Sequence, residues 1–395
     1  MKKTKDSFCF IDLFCGIGGF HQALASLGGT CVFASDIDEE CRRVYLDNYG
    51  LEPVGDITKV DEREIPPHDV LCAGFPCQAF SKAGKRLGID DPRGTLFYDI
   101  VRIAEYHKPA YLLLENVRNL AGHDGGNTWR VIRNNLCKIG YSVPDQPIIF
   151  SPHYLGIPQH RERVFILCVR KDLGESPNFI FDEKSIKPSD AYSILETDNN
   201  LSTFEDYKLS SDQVELIELW NEFIQGVKKP LPGFPVWTEW MRDLKTSDKL
   251  SQYPEWKQVF IRKNSQLYTD NKAFVDGWLA KAKKHLLFTG AKAKLEWQAG
   301  KPEKPDLWNT IMQFRPSGIR AKQPTYYPAL VAITQTSIVG KKKRYLTTRE
   351  CANMQGFPQS MKLHLKAPIA YKQLGNSVNV DVVRMFAELL LKGKA

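Results

Sequence analysis

Short apolar runs alternate with amphipathic stretches along the first 170 residues of the chain. The run at 8–14 ends in a glycine-rich loop at 16–19, and a helical pattern then continues to about Leu27. Further runs and stretches repeat this rhythm as far as 164–169. Strands that alternate with helices of about 10–15 residues are typical of βαβ units around a parallel sheet. The pattern therefore predicts an α/β fold.

Two parts of the pattern depart from this rhythm. The runs at 148–150 and 164–169 have no helical pattern between them, which predicts an antiparallel hairpin at one edge of the sheet. Near the C-terminus, apolar side chains recur at the spacing of one helix face. We expect a helix there that packs this stripe against another part of the chain. The stripe consists of Val383, Phe386, Ala387 and Leu390.

Composition narrows the class of protein. The chain has 395 residues, of which 43% are hydrophobic and 25% charged, and this length favours two domains of about 150 residues or more. Nine cysteines without a Cys-x-x-Cys pair argue against a zinc site and a disulfide framework. No apolar run approaches the roughly 18 residues of a membrane span, and the first residues lack a signal-peptide pattern. We therefore expect a cytoplasmic protein with no membrane partner and no metal.

Basic residues are concentrated in the last third of the chain. The net charge is +8, yet residues 256–395 contain 25 Lys and Arg against 8 Asp and Glu, whereas residues 1–170 contain 20 against 21. Residues 171–255 are acidic, with 9 against 17, so two differently built regions meet near 171–200. Basic clusters bind phosphates without regard to sequence, and polar side chains between them can contact base edges. The clusters are Lys281, Lys283, Lys284, Lys292 and Lys294 together with 341–344, and the candidates for base contacts are Gln313, Arg315, Arg320, Lys322 and Gln335.

Tryptophans are also unevenly distributed. Seven of the eight lie between Trp220 and Trp308. Tryptophan at such positions is more often part of a core than a platform for stacked bases, so we expect these side chains to form the core of the later region.

The loop at 16–19 has the sequence of a nucleotide-binding turn. A strand that ends in Gly16-x-Gly18 at the start of a helix lets a ligand approach the backbone and the positive helix end. Asp36 follows the next strand at the distance where an acid accepts bonds from ribose hydroxyls, and Asp56 could serve an adenine. The alternative is a tight turn without a ligand. The acid at this distance favours a nucleoside cofactor, and the loop lacks the pattern of an ATP or GTP phosphate site.

A cysteine follows the strand at 70–73. Cys77, preceded by Pro76, lies at the carboxyl end of a predicted sheet strand, where doubly wound folds bind ligands. Lys82, Lys85 and Arg86 follow, and nearby cations lower the pKa of a thiol. A buried, inert cysteine is the alternative. The polar, basic surroundings favour a nucleophile.

Two further motifs place charged side chains on apolar strands. Glu115 ends the run LLLENV, where water-poor surroundings raise a carboxyl pKa towards values useful for proton donation. Arg161 and Arg163 alternate into the strand at 164–169 and so point to one face, as a clamp for phosphate or carboxylate would. A salt-bridge partner and a charged strand edge are the respective alternatives.

Taken in order, these motifs are similar to those of the cytosine-5 DNA methyltransferases. The chain carries FIDLFCGIGGF, GFPCQAFS, ENV and QHRERVF, followed by RECANMQGFP at 349–358 and YKQLGNSV at 371–378. The resemblance implies an α/β fold with a Rossmann-like, mostly parallel sheet that uses S-adenosyl-L-methionine, and an inserted smaller target-recognition domain. It implies a catalytic domain at 1–180 completed by 360–395, with the recognition domain and hinge at 181–359.

The resemblance also implies residue roles. Cys77 would add to carbon 6 of a cytosine, Glu115 would protonate or hydrogen-bond N3, and Arg161 and Arg163 would orient the base. Because this chemistry cannot reach a stacked base, the cytosine must be flipped out of double-stranded DNA, and the loop at 81–95 would close over it. The cofactor pocket would consist of Phe14, Gly16, Ile17, Gly18, Asp36, Ile37, Asp56, Pro76 and Asn376.

We therefore expect a DNA (cytosine-5-)-methyltransferase of a bacterial restriction-modification system. The expected protein is a monomer that pairs functionally with a restriction endonuclease and associates with the nucleoid. Two alternatives remain. One is an RNA cytosine-5 methyltransferase, and the other is a catalytically silent DNA-binding protein regulated by the cofactor.

Overall fold

A computed structural model describes residues 7–76, 95–197, 205–228, 230–330 and 336–392 of the chain. The chain divides into two compact units. The first unit contains Met1–Asp190, Pro328–Thr334 and Thr348–Ala395, and the second contains Ala191–Tyr327 and Gln335–Thr347.

The sheet of the first unit is mostly parallel. Its strands are β1 (Phe8–Leu13), β2 (Gly29–Ser35), β3 (Val70–Gly74), β4 (Tyr111–Val117), β5 (Tyr141–Ser142), β6 (Ile148–Phe150) and β8 (Arg163–Arg170), and the short strand β7 (Gln159–His160) lies outside it. The strand order is β2-β1-β3-β4-β8-β5, and β6 also pairs with β8. Strands β2, β1, β3 and β4 run parallel, whereas β8 runs antiparallel to β4, β5 and β6. The predicted antiparallel pairing of 148–150 with 164–169 is confirmed.

Helices flank this sheet and form part of the second unit. None of the helices in the described ranges is long and apolar enough to cross a bilayer. In the first unit they are α1 (Gly19–Ala25), α2 (Glu39–Tyr49), α3 (Thr95–His107) and α4 (Asn127–Lys138); the second unit has α5 (Ser211–Gly226), α6 (Glu255–Asp270) and α7 (Lys272–Ala282); the chain then returns to the first unit with α8 (Thr348–Met354), α9 (Ala367–Asn376) and α10 (Val380–Leu391).

The C-terminal helix covers one side of the sheet, as its apolar stripe predicted. All four residues of the stripe on α10 are buried, and α10 packs against α1, β4 and β8. The ring of Phe386 lies 4.7 Å from that of Phe165 on β8. Burying one such side chain contributes about 1.5–3 kcal/mol, so the returning segment stabilises the first unit substantially.

Residues 348–359 group with the first unit, although the sequence-based division placed them in the inserted region. Two buried hydrogen bonds explain why. The Gln355 side chain donates to the Leu374 carbonyl over 2.7 Å, and the Asn379 side chain donates to the Met354 carbonyl over 3.0 Å. The motif at 349–358 is therefore fixed to α9 and the start of α10.

The second unit has its own sheet and core. The strands of the sheet are β9 (Val236–Trp237), β10 (Lys294–Gln298), β11 (Ile311–Arg315), β12 (Gly318–Lys322), β14 (Ile338–Val339) and β15 (Arg344–Tyr345), and the short strand β13 (Tyr327–Pro328) lies outside it. The sheet order is β15-β14-β11-β12-β10-β9, and Trp220, Phe223 and Trp278 lie at the centre of the core. The expectation of core tryptophans is correct for most of the seven, but Trp256 is 61% exposed.

Candidate active site

A cavity of about 480 Å³ opens where the parallel strands of the first unit end. The carboxyl edge of such a sheet is where open α/β folds bind ligands, and the volume is in the range of small-molecule sites. Ten of the predicted site residues line this one cavity. They are Phe14, Gly16, Asp36, Ile37, Asp56, Pro76, Glu115, Arg161, Arg163 and Asn376.

The glycine loop turns sharply between β1 and α1. Phe14, Gly16 and Gly18 all have positive φ, at 57°, 53° and 86°, so the chain is left-handed at alternate positions. Gly16 lines the cavity. Gly18 does not, because it faces Tyr49, whose ring would lie 2.2 Å from a Cβ at position 18. Ile17 is also buried away from the cavity. Gly18 and Ile17, both predicted to bind the cofactor, therefore belong to the loop but do not line the cavity.

Asp36 connects the glycine loop to the end of β2. Its two carboxylate oxygens accept the backbone N–H groups of Gly16, over 2.7 Å, and Asp38, over 2.8 Å. Burial raises the pKa of Asp36, and these two hydrogen bonds oppose the increase. A carboxylate has about four acceptor positions, so Asp36 keeps acceptor capacity at the cavity wall. The neighbouring Ile37 side chain is 78% exposed and offers an apolar surface beside it.

Asp56 also lines the cavity. Its carboxylate accepts hydrogen bonds from the backbone N–H and the hydroxyl of Thr58, over 3.1 and 2.7 Å. These two bonds lower the pKa of Asp56, so the side chain is a fixed anion at neutral pH.

Glu115 and Arg163 form an ion pair at the end of β4. Arg163 Nε lies 3.1 Å from Glu115 Oε1, because β4 and β8 pair in a register that brings both residues to the same edge. Glu115 is only 8% exposed. Burial raises its pKa, while Arg163 and Arg161 oppose the increase. On β3, Gly74 stands opposite Glu115, and a Cβ at position 74 would lie 3.5 Å from Glu115 Oε2.

Arg161 is held differently from Arg163. It is 3% exposed, and its guanidinium donates to the carbonyls of Leu330, over 3.1 Å, and Ser377, over 3.0 Å. Burial lowers the pKa of Arg161 to about 9. The two arginines line the same cavity, as their alternation predicted, but one binds a carboxylate and the other ties two distant backbone segments together.

Three predictions fall outside the described residues. They concern Cys77, the loop at 81–95, of which only Thr95, the first residue of α3, is described, and Gln335, a candidate for base contacts. The three residues before the cysteine, Gly74, Phe75 and Pro76, do line the cavity. Phe75 is anchored there, because its carbonyl accepts a 2.8 Å hydrogen bond from the Asn116 side chain.

Lys372 and Gln373 line the cavity as well, although the sequence singled out only Asn376 in the segment at 371–378. Lys372 Nζ lies 2.9 Å from Asp38 Oδ2, which links α9 to the start of α2. The helical spacing of 372, 373 and 376 places all three on one face of α9. That spacing was the signal in the sequence that would have identified them.

Fold and cavity together define an α/β protein of the Rossmann-like class with a ligand site at the carboxyl edge of its sheet. Solved structures of this class match almost the whole chain. One is the Entamoeba histolytica methyltransferase EhMeth, with a TM-score of 0.57, 18% identity and 99% coverage of both chains. Another is a Spodoptera frugiperda DNMT2 variant, with a TM-score of 0.54, 18% identity and coverage of 97% and 99%. At this level of identity the similarity concerns the fold.

The family follows from the sequence comparison. A profile of the C-5 cytosine-specific DNA methylases matches residues 8–392, and the chain belongs to this family. It is 36% identical to the type II methyltransferase M.AluI of Cellulosimicrobium cellulans, over 97% of this chain and 92% of that one. It is 35% identical to M.HhaI of Haemophilus parahaemolyticus, over 96% and 92%. The protein is thus an enzyme that methylates DNA at carbon 5 of cytosine, and its family implies S-adenosyl-L-methionine as the methyl donor.

Proposed function

We propose that the cavity of the first unit holds S-adenosyl-L-methionine and a flipped cytosine side by side, and that Cys77, Glu115 and Arg163 carry out the chemistry on the base. The observation that supports this proposal most strongly is the composition of the single cavity. Acceptors suited to a nucleoside, Asp36 and Asp56, share it with the buried Glu115–Arg163 pair.

The residues at one end fit the cofactor. Asp36 retains acceptor capacity for ribose hydroxyls, Asp56 is a fixed acceptor for the adenine amino group, and Ile37 provides an apolar surface for the purine ring. Phe14, Gly16, Pro76 and Asn376 would complete this end. When bound, the cofactor supplies an electrophilic methyl group on a sulfonium.

The residues at the other end fit a cytosine. Glu115 has a raised pKa, so it can donate a hydrogen bond or a proton to N3, and Arg163 fixes its orientation. As the Cys77 thiolate forms a bond to carbon 6, the ring electrons move towards N3, and carbon 5 becomes nucleophilic. After methylation, loss of the carbon-5 proton and departure of the thiolate restore the aromatic ring. Arg161 would act as a positioning residue through the Ser377 and Leu330 carbonyls.

The second unit would recognise the DNA. It contains most of the basic clusters, and phosphates bind such side chains without regard to sequence. We further propose that the protein acts as a monomer on duplex DNA in a bacterial nucleoid, and that it protects the host from a cognate restriction endonuclease. The names of the type II relatives support this last point.

The test is covalent trapping on a duplex that contains 5-fluorocytosine, which blocks loss of the carbon-5 substituent. We expect a denaturation-resistant adduct with the wild type and with Cys137→Ser, a matched change at a cysteine on α4 outside the cavity. Cys77→Ser should form none, and Glu115→Gln should form it more slowly. Binding of DNA and cofactor without any adduct or methylation would instead identify a silent DNA-binding protein. Methylation of RNA in preference to DNA would identify the other alternative.

A further inference from the structure

One face of the sheet in the second unit places two arginines beside a single glutamate. Strands β10, β12 and β11 lie side by side, and their registers place Glu296, Arg320 and Gln313 in one row. Side chains alternate across a sheet, so the neighbouring positions Leu295, Ile319 and Met312 point to the other face, where all three are buried in the core. We call the face opposite this core the arginine face; it consists of Glu296, Gln313, Arg315, Arg320 and Lys322, of which Gln313 is buried and the other four are half-buried.

Glu296 fixes the orientation of Arg320. Arg320 Nε donates to Glu296 Oε2 over 2.8 Å, and Arg315 Nη1 lies 3.7 Å from the same oxygen. The side chains of Arg320 and Arg315 are only 26% and 28% exposed. Since Arg320 uses Nε for this contact, its two terminal nitrogens remain available, as far as the described residues are concerned, as a planar pair of donors. Arg315 Nη1 is buried and has no hydrogen-bond partner among the described residues.

The arginine face carries more positive charge than Glu296 balances. In the described part of the chain, the ion pairs of Arg315 and Arg320 both go to this one carboxylate. Lys322 adds a third basic group, and its pKa is lowered by burial and by the two arginines. Holding cations together in this way is unfavourable unless a ligand with acceptor atoms completes the site.

The geometry points to a guanine base as that ligand: we propose that Arg320, positioned by Glu296, reads one guanine of the recognised DNA sequence. Guanine presents two neutral acceptors, O6 and N7, at the spacing of the two terminal arginine nitrogens. A phosphate is the alternative acceptor for the same fork, and the sequence dependence of methylation distinguishes the two. This inference rests on the proposed role of the second unit in DNA recognition.

The experiment measures methylation of a randomised duplex library by bisulfite sequencing. Arg320→Lys keeps the charge but removes the planar fork, so the preference for guanine at one position should fall about 5- to 150-fold, the range of a bidentate contact. Glu296→Gln should weaken the same position by a smaller factor. Arg262→Lys, at an exposed arginine on α6, should leave every position unchanged, and cofactor binding should be equal in all variants.

Three results would overturn the inference. A uniform loss over all sequences in Arg320→Lys, with a weaker salt dependence, would identify a phosphate contact. An unchanged sequence preference would show that Arg320 does not contact a base. A wild type that methylates cytosines without any sequence preference would overturn the recognition role of the second unit itself, and with it this assignment.

Discussion

Gly16 and Gly18 should respond differently to the same substitution. Both have positive φ, so alanine at either position costs about 1–2 kcal/mol in backbone conformation. A Cβ at Gly16 meets no atom within 4 Å, whereas a Cβ at Gly18 would lie 2.2 Å from Cε2 and 2.8 Å from Cζ of Tyr49. Tyr49 cannot move freely, because His21 stacks on it at 3.8 Å between ring centroids and its hydroxyl donates to the loop carbonyls. Overpacking of this kind adds about 1–3 kcal/mol.

We therefore expect Gly18→Ala to lower the free energy of unfolding by about 1–3 kcal/mol more than Gly16→Ala does. Gly16→Ala should mainly weaken cofactor affinity, because Gly16 lines the cavity. Urea unfolding followed by circular dichroism, with hydrogen exchange in β1 and α1 to report on the first unit, measures stability, and calorimetric titration measures cofactor affinity. Equal losses of stability, or a Gly18→Ala protein with normal stability and weak cofactor binding, would refute the packing argument.

Three further predictions follow from charges in the structure. Burial lowers the pKa of His21 to about 4, against about 6.5 in the unfolded chain. The neutral ring therefore contributes up to about 3 kcal/mol of stability above pH 6.5, and this contribution is lost as the pH falls towards 4. His21→Gln should flatten the pH dependence of urea unfolding between these two pH values. Arg163 lowers the pKa of Glu115, so Arg163→Gln should move the Glu115 limb of the kcat/KM–pH profile to higher pH; an unmoved limb would contradict the ion pair. Lys283 and Lys284 are exposed on the second unit. Replacing both with Gln should weaken DNA binding and reduce the slope of log K against log salt concentration by about 1–2, without a change in cofactor affinity. Fluorescence titrations at several salt concentrations measure both affinities.

The order of elements in the first unit could be predicted because each signal is local. A buried strand such as β4, with three consecutive leucines, and a helix such as α10, with its apolar stripe, are visible in a short window of sequence. The assignment of 348–359 to the first unit could not be predicted in this way, because it depends on hydrogen bonds that Gln355 and Asn379 make to segments about 20 residues away. Spacing carries no information about such partners.

The candidate site shows the same difference between signals that are local in the sequence and contacts with distant residues. Motif spacing found Asp36, which directly follows β2, and Glu115, which lies near the carboxyl end of β4, because both strands end at the cavity. It could not separate Gly16 from Gly18, since the difference is the position of Tyr49, 31 residues beyond Gly18. It also assigned one role to Arg161 and Arg163, although the first binds carbonyls contributed by residues 330 and 377.

The net positive charge of the last third overstates the number of cations that are available to bind DNA. Several of its lysines pack over aromatic rings, as Lys322 does at 4.6 Å from the Tyr326 centroid and Lys343 at 4.6 Å from Trp308. Others pair with acids, as Lys281 does with Glu222. Lysine stems cover aromatic surface in this way while the ammonium stays near water, which explains why lysine and tryptophan are enriched in the same region. Because part of the charge stabilises the second unit itself, the salt dependence of DNA binding should correspond to fewer phosphates than the net charge of residues 256–395 implies.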